Sequence, residues 1–349
     1  MRPTWAPTWL TGLLETLCIG TLGGALFAWL GFPAGWLSGS MLAVAIAALA
    51  RRPMQMPAPL ARVVFVAVGI SLGAAVTPET LRGVATWPFS VAMLAIAVIC
   101  ATFASAFYLR KVHRWDMLSA LFGSMPGALS QVIAYANQNK SDLRGIAIVQ
   151  TIRVVILTAC LPGTLAVLGL VDPEPVNVRN AFEAPLYEMV ILIVACSAIA
   201  ALLQWLRFPG GLIFGAMLAS AVLHGTGWIQ AVLPWWAVNA AMAALGAITG
   251  SRFANTGLRL LVQYLGAGLG SFAVAIAVVA VFAWSAIGLM AFRIPDVVVS
   301  YAPGALDAMM ILALALHLDP IFVGAHHVAR FMLVSLSLPL FVRMFGGKQ

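Results

Sequence analysis

The sequence predicts an all-α polytopic membrane protein of about ten transmembrane helices, arranged as two inverted five-helix repeats, each with a Pro-Gly-broken re-entrant segment. Three observations carry this prediction. Of the 349 residues, 62% are hydrophobic and 9% charged, with a mean hydropathy of +1.01; soluble domains carry about 25% charged residues. No single globular core of this length could hide that much apolar surface, so lipid is the solvent and a water-soluble enzyme is excluded. Apolar runs of helical length also follow one another with very short connections, leaving no room for a separate soluble domain. Finally, the second half of the chain repeats the first.

Taken in order, apolar runs bounded by charges and Pro/Gly breaks give spans at about 10–30, 33–50, 60–76, 86–109 and 145–168 in the first half. The second half gives about 187–206, 209–225, 236–250, 262–286 and 321–342. The first span has no small-residue cleavage site after a short apolar core and is expected to be retained. Two stretches remain, 116–138 and 296–317, interrupted at Pro126-Gly127 and Pro303-Gly304. If both dip in and return to the side they came from, the cations sort themselves. Arg2, Arg51, Arg52, Arg62, Arg110, Lys111, Arg114, Lys140, Arg144, Arg207, Arg252, Arg259, Arg343 and Lys348 fall on one side. Arg82, Arg179 and Arg293 fall on the other, and Arg153 and Arg330 lie inside spans. Full crossing by the two stretches would move Lys140, Arg144, Arg207, Arg252 and Arg259 and erase most of the bias. Re-entrant segments are therefore expected. The positive-inside rule then puts a multi-pass protein in the cell inner (plasma) membrane with both termini cytoplasmic. The longest loop, about 169–186 with Asp172, Glu174 and Glu183, lies outside.

The net charge of +8 is no nucleic-acid signal, because the cations are scattered singly and form no basic helix or tail. No direct nucleic-acid partner is expected; the lipid bilayer and a small-molecule solute are, and a homo-oligomer is left open. Cys18, Cys100, Cys160 and Cys196 each sit alone in an apolar run and read as packing residues.

The repeat runs from 1–170 to 187–345. L-G-F-P-A-G-W-L-S-G-S-M-L-A from Leu30 matches L-R-F-P-G-G-L-I-F-G-A-M-L-A from Leu206 at an offset of 176. One residue is then gained. At 177, Gly69 and Gly73 match Gly246 and Gly250, Pro126-Gly127-Ala128-Leu129 matches Pro303-Gly304-Ala305-Leu306, Asp142 matches Asp319, and Arg153 matches Arg330. An odd number of spans per copy inverts the second, an architecture typical of secondary transporters with midplane sites built from broken helices. The small-xxx-small pairs Gly35/Gly39, Gly211/Gly215, Gly69/Gly73 and Gly246/Gly250 suit close helix packing.

Arg153 and Arg330 are the costliest residues, since an Arg at a span centre costs about 2.5–3.5 kcal/mol on insertion scales. Each has a polar residue one turn earlier on the same face, Gln150 and His327. Two roles fit: a structural tie to carbonyls exposed by the neighbouring broken helix, or the lining of a central site. Helices beginning near Gly127 and Gly304 would aim N–H groups and a positive dipole end into the membrane, an anion-binding arrangement. Ser130 and Asp307 hold equivalent places in their first turns. Asp307 fits a dipole partner, an ion ligand, a proton carrier or a salt bridge to either arginine. A substrate-binding set of Arg153, Arg330, Ser130, Asp307, Gln150, His327, Gly127 and Gly304 follows, lying near the bilayer midplane. No catalytic residue, metal or cofactor is expected: adjacent His326 and His327 point about 100° apart and cannot share a metal unaided.

The signatures S-M-P-G-A-L-S-Q at 124–131 and Y-A-P-G-A-L-D-A at 301–308 are each followed, after an acidic turn, by a helix with an internal Arg. Together with F-P-x-G-x-x-x-G opening each repeat, they resemble the membrane AbrB family with its duplicated domain, over nearly the whole chain. The resemblance implies a regulator of gene expression, and many members carry an ammonia monooxygenase label. A copper or iron oxygenase site needs three or four convergent ligands, which this sequence does not offer. A regulatory role would be indirect, through a partner. From the residues, a secondary transporter of a small anionic or zwitterionic solute is the first reading, the membrane regulator the second and an enzyme the third.

Overall fold

The computed structural model describes residues 8–76, 87–171, 185–254, 256–289 and 292–345, the side chains of Thr8 and Ser130 excepted. Arg2, Arg82, Arg179, Lys348 and the acidic loop with Asp172, Glu174 and Glu183 lie outside the described residues. Among those described there is no strand. The first-half helices are α1 (Thr8–Trp29), α2 (Gly35–Leu49), α3 (Ala58–Ala74), α4 (Trp87–His113), α5 (Met117–Ser124), α6 (Leu129–Gln138) and α7 (Leu143–Val167). The second half adds α8 (Leu186–Trp205), α9 (Gly211–Gly225), α10 (Trp235–Gly250), α11 (Leu258–Leu289), α12 (Ile294–Tyr301), α13 (Leu306–Ala315) and α14 (Pro320–Phe345).

All ten expected spans are helical. Six of them, α1, α4, α7, α8, α11 and α14, are long and apolar enough to cross a membrane, so the chain is a multi-pass membrane protein. The other four, α2, α3, α9 and α10, have 15 to 17 residues. At about 1.5 Å per residue they reach about 22–26 Å, short of a hydrocarbon core about 30 Å thick. Local chemistry sets their lengths. Pro33 and Pro209 precede α2 and α9, whose N-caps, Ala34 and Gly210, are both left-handed, at φ 54 and 63.

The chain forms two compact units, each drawn from both halves of the sequence. The first comprises Met1–Pro78, Thr158–Leu258 and Met310–Pro320. Here the glycine pairs let helix meet helix. A Cβ on Gly69 or Gly73 of α3 would strike the carbonyl oxygens of Ile213 and Met217 on α9. A Cβ on Gly246 or Gly250 of α10 would strike those of Leu37 and Met41 on α2. These contacts are related by the repeat offsets, 177 for the glycines and 176 for the carbonyls. Gly39 of α2 likewise lies against Gly23 of α1, and a Cβ on Gly215 of α9 would come within 2.6 Å of the Ala200 Cα on α8. Replacing Gly39 or Gly215 with Leu is expected to lower stability by about 1–3 kcal/mol through overpacking. Thermal unfolding in detergent measures it; unchanged stability in both variants would contradict the close packing.

The second unit comprises Glu79–Leu157, Arg259–Met309 and Ile321–Gln349. Its distinctive parts are two helical hairpins, α5–α6 and α12–α13. In the first, Asp116 caps α5 by accepting the Ser119 N–H at 2.8 Å. Pro126 has no N–H to continue the helix, and Gly127 and Ala128, at φ 83 and 53, turn the chain. After α6 the chain is back beside its entry point: the backbone N–H of Asp142 donates to Ser119 Oγ at 3.1 Å. In the second hairpin Phe292, just before α12, stacks on Phe322, just after the chain returns, with ring centroids 5.0 Å apart. Each half-helix, at 8 or 10 residues, reaches only about 12–15 Å.

The helices after the breaks begin at Leu129 and Leu306, two residues later than expected from the glycines. Two successive left-handed residues cannot join an α-helix, which delays α6. In the second hairpin the Gly304 N–H donates to the Ala302 carbonyl, and α-type bonding starts with Met309 N–H to Ala305 O.

Aromatic pairs close the hairpin mouths at matching positions. Trp115 packs edge-on against Tyr264 at 5.9 Å in the first. In the second, Phe292 and Trp87, their counterparts by the 177 offset, both pack on Phe322. The counterpart of Phe322 is Gly145, where a Cβ would come within 2.7 Å of Tyr264. That vacancy lets Tyr264 donate its hydroxyl to Asp142 Oδ2 at 2.6 Å.

Candidate functional site

Each hairpin tip brings together two helix ends of opposite polarity. The last carbonyls of α5 have no following turn to bond them, and the first N–H groups of α6 have no preceding turn. Arg153, on α7, serves the carbonyls. Its Nη1 donates to Ser124 O at 3.1 Å and its Nη2 to Met125 O at 2.8 Å. One turn earlier, Gln150 Nε2 donates to Phe122 O at 2.8 Å. Both side chains are buried, with Arg153 5% exposed.

The second tip repeats the scheme. Arg330, 3% exposed, donates from Nη1 to Ala302 O at 2.5 Å and from Nη2 to Gly304 O at 2.7 Å. His327 Nε2 donates to Val299 O at 3.1 Å, and its Nδ1 meets Arg330 Nη2. A carbonyl can only accept, so the His327 proton sits on Nε2 and Nδ1 is the acceptor for Arg330. Two of these bonds recur at the 177 offset: Gln150 to Phe122 as His327 to Val299, and Arg153 to Met125 as Arg330 to Ala302.

Of the residues expected to form a site, the structure gathers Gly127, Gln150 and Arg153 at the first tip and Gly304, His327 and Arg330 at the second. Asp307 is half-buried in the first turn of α13. The side chain of Ser130 lies outside the described residues. The geometry at both arginines is that of the carbonyl tie. That tie also sets the electrostatics of the tip. An unclamped tip would pair a negative helix end with a positive one; with the carbonyls taken by a guanidinium, the free N–H end remains and the tip is positive.

Sequence reasoning missed a buried polar cluster behind the second tip. Tyr301 donates its hydroxyl to the Ser90 carbonyl at 2.7 Å, and His326 uses Nε2 toward Ser90 Oγ at 2.9 Å and Nδ1 toward Phe322 O at 2.8 Å. Ser90 and His326 are fully enclosed. The only available signal was three polar residues inside apolar runs, far apart in sequence. Among the described residues no three of His, Cys, Asp and Glu converge as a metal site would need.

The family model described as "Transition state regulatory protein AbrB" matches residues 36–346, most of the chain. The chain belongs to the AbrB family. Two relatives span most of it. One, from Bacillus subtilis (strain 168), named "Uncharacterized protein YhjN", is 25% identical and covers 94% of this chain and 91% of its own length. The other, from Escherichia coli (strain K12), named "Putative regulator AbrB", is 27% identical and covers 90% of each chain. The family resemblance carried by the paired Pro-Gly signatures is thus a family membership.

Proposed function

We propose that this AbrB-family protein is a secondary transporter of a small anionic or zwitterionic solute, built from two inverted repeats whose hairpins enter the membrane from opposite faces. The observation that carries the reading is the pair of hairpin tips, each a helix N-terminus made positive by a buried arginine. Buried cations at interrupted helices suit a carrier that takes anions through lipid by way of a site at mid-depth. The recurrence of glycine contacts, arginine bonds and mouth aromatics at one offset supports the repeat.

The left-handed helix caps follow the proposed sidedness. Arg51, Arg114, Lys140 and Arg207 have φ between 53 and 63, while Gly31, Gly169 and Gly227 occupy the corresponding role elsewhere. By the charge partition, the four cationic caps all face the cytoplasm, and the glycines, with His317, face outward. A left-handed cationic residue costs roughly 1–2 kcal/mol where glycine costs nothing. Favourable interaction with a carbonyl helix end and retention of charge on the cytoplasmic side offset it. The protein then resides in the plasma membrane with both ends of the chain cytoplasmic and has no catalysis of its own.

Proteoliposomes carrying the purified protein test the reading. Radiolabelled acetate, glycine or phosphate should enter at a rate that saturates with concentration and exceeds that of protein-free vesicles. Absence of uptake for all three, with a change of bound partner protein in the cell instead, would favour the indirect regulator suggested by the name of the Escherichia coli relative.

A further inference from the structure

The two tips are chemically unequal, and the inequality bears on which of them meets the solute. Arg330 has a third partner, Nδ1 of His327, besides its two carbonyls. Arg153 has only the two carbonyls, because Gln150 directs its amide to Phe122. The Nε of Arg153 is enclosed and has no hydrogen-bond partner. A buried charged donor without an acceptor costs at least about 1–3 kcal/mol, so it calls for an explanation.

Space differs in the same sense. A Cβ added at Gly127 would meet nothing within 4 Å, whereas one at Gly304 would meet the Met309 side chain at 2.8 Å. Gly127 borders open space, whereas Gly304 is covered by Met309. Ala128, the N-cap of α6, contributes no side-chain acceptor to the first-turn N–H groups.

We propose that the ligand site lies at the first tip alone, where a monovalent carboxylate accepts from Arg153 Nε–H and from the first-turn N–H groups of α6, the second tip being its closed structural counterpart. One guanidinium and one helix N-terminus provide little more than a single positive charge, which matches a monoanion. A guanidinium N–H and backbone N–H groups are directional donors, which suit the two oxygens of a carboxylate better than a spherical halide. This assignment rests on the transporter reading but can fail separately from it.

The test is thermal unfolding of the full chain in nanodiscs, titrated with sodium acetate against sodium chloride and sodium phosphate at matched ionic strength. Acetate should raise the midpoint saturably, with chloride and phosphate giving smaller shifts. Arg153→Lys keeps the charge but removes the Nε–H, and should raise the half-saturating acetate concentration roughly tenfold, about 1.4 kcal/mol. His327→Gln should lower the starting midpoint yet leave the acetate response unchanged. An unaltered response in Arg153→Lys, a lost one in His327→Gln, or equal shifts with chloride would overturn the proposal. If Arg153→Lys does not fold, a cryo-EM map of the wild type in acetate decides: density beside Arg153 supports the site, and density beside Arg330 or at neither overturns it. Acetate binding at Arg153 without flux would leave this site standing and remove the transporter reading; flux without Arg153 selectivity would do the reverse.

Discussion

Arg330→Gln should destabilise the protein by about 3–5 kcal/mol, enough to unfold much of it in detergent. The guanidinium holds the Ala302 and Gly304 carbonyls and the free nitrogen of His327. Glutamine is shorter and carries one amide, so at least one carbonyl and one ring nitrogen would stay buried and unpaired. Arg153→Gln should cost less, because Arg153 has fewer partners and already leaves a donor unsatisfied. Both arginines tie carbonyls, and Arg153 alone keeps a donor without a partner among the described residues. Denaturation midpoints of the two variants check this. Equal midpoints would show that His327 adds nothing at the second tip.

His326→Ala should cost about 3 kcal/mol, combining a cavity with a lost acceptor for Ser90. The ring is fully buried, lies 4.1 Å from the Phe322 ring centroid and bonds two elements at once. Tyr301→Phe, which removes one hydrogen bond and little volume, should cost about 1 kcal/mol. The same unfolding measurements compare the pair. A smaller loss for His326→Ala than for Tyr301→Phe would mean the cluster is held by the tyrosine rather than by the histidine.

The helices were legible in the sequence because lipid imposes a simple rule: backbone groups must be satisfied within the segment, so every apolar run is a helix. The hairpins were legible too, since Pro126-Gly127 and Pro303-Gly304 each remove a donor and permit a turn. What the sequence concealed was partnership. Nothing in Gly145 shows that its missing side chain admits Tyr264 to Asp142, because those two partners are 122 residues apart in the chain. Likewise Gln150 and His327 look like different chemistry, yet they make the same bond to equivalent carbonyls. The inequality of the tips was hidden for the same reason. It depends on where Met309 packs and on which nitrogen of His327 faces Arg330.

In the proposed topology two hairpins enter from opposite faces and bring two helix N-termini and two arginines to mid-depth, and impermeant-maleimide labelling of single cysteines tests that most directly. On a background with Cys18, Cys100, Cys160 and Cys196 replaced, cysteines at Asp116 and Lys140 mark the two ends of the first hairpin, and those at Arg293 and Asp319 the second. Asp116→Cys and Lys140→Cys should both label only from the cytoplasm, and Arg293→Cys and Asp319→Cys only from outside. Labelling of Asp116→Cys and Lys140→Cys from opposite faces would mean that the broken segment crosses the membrane, and would rule out the inverted hairpins.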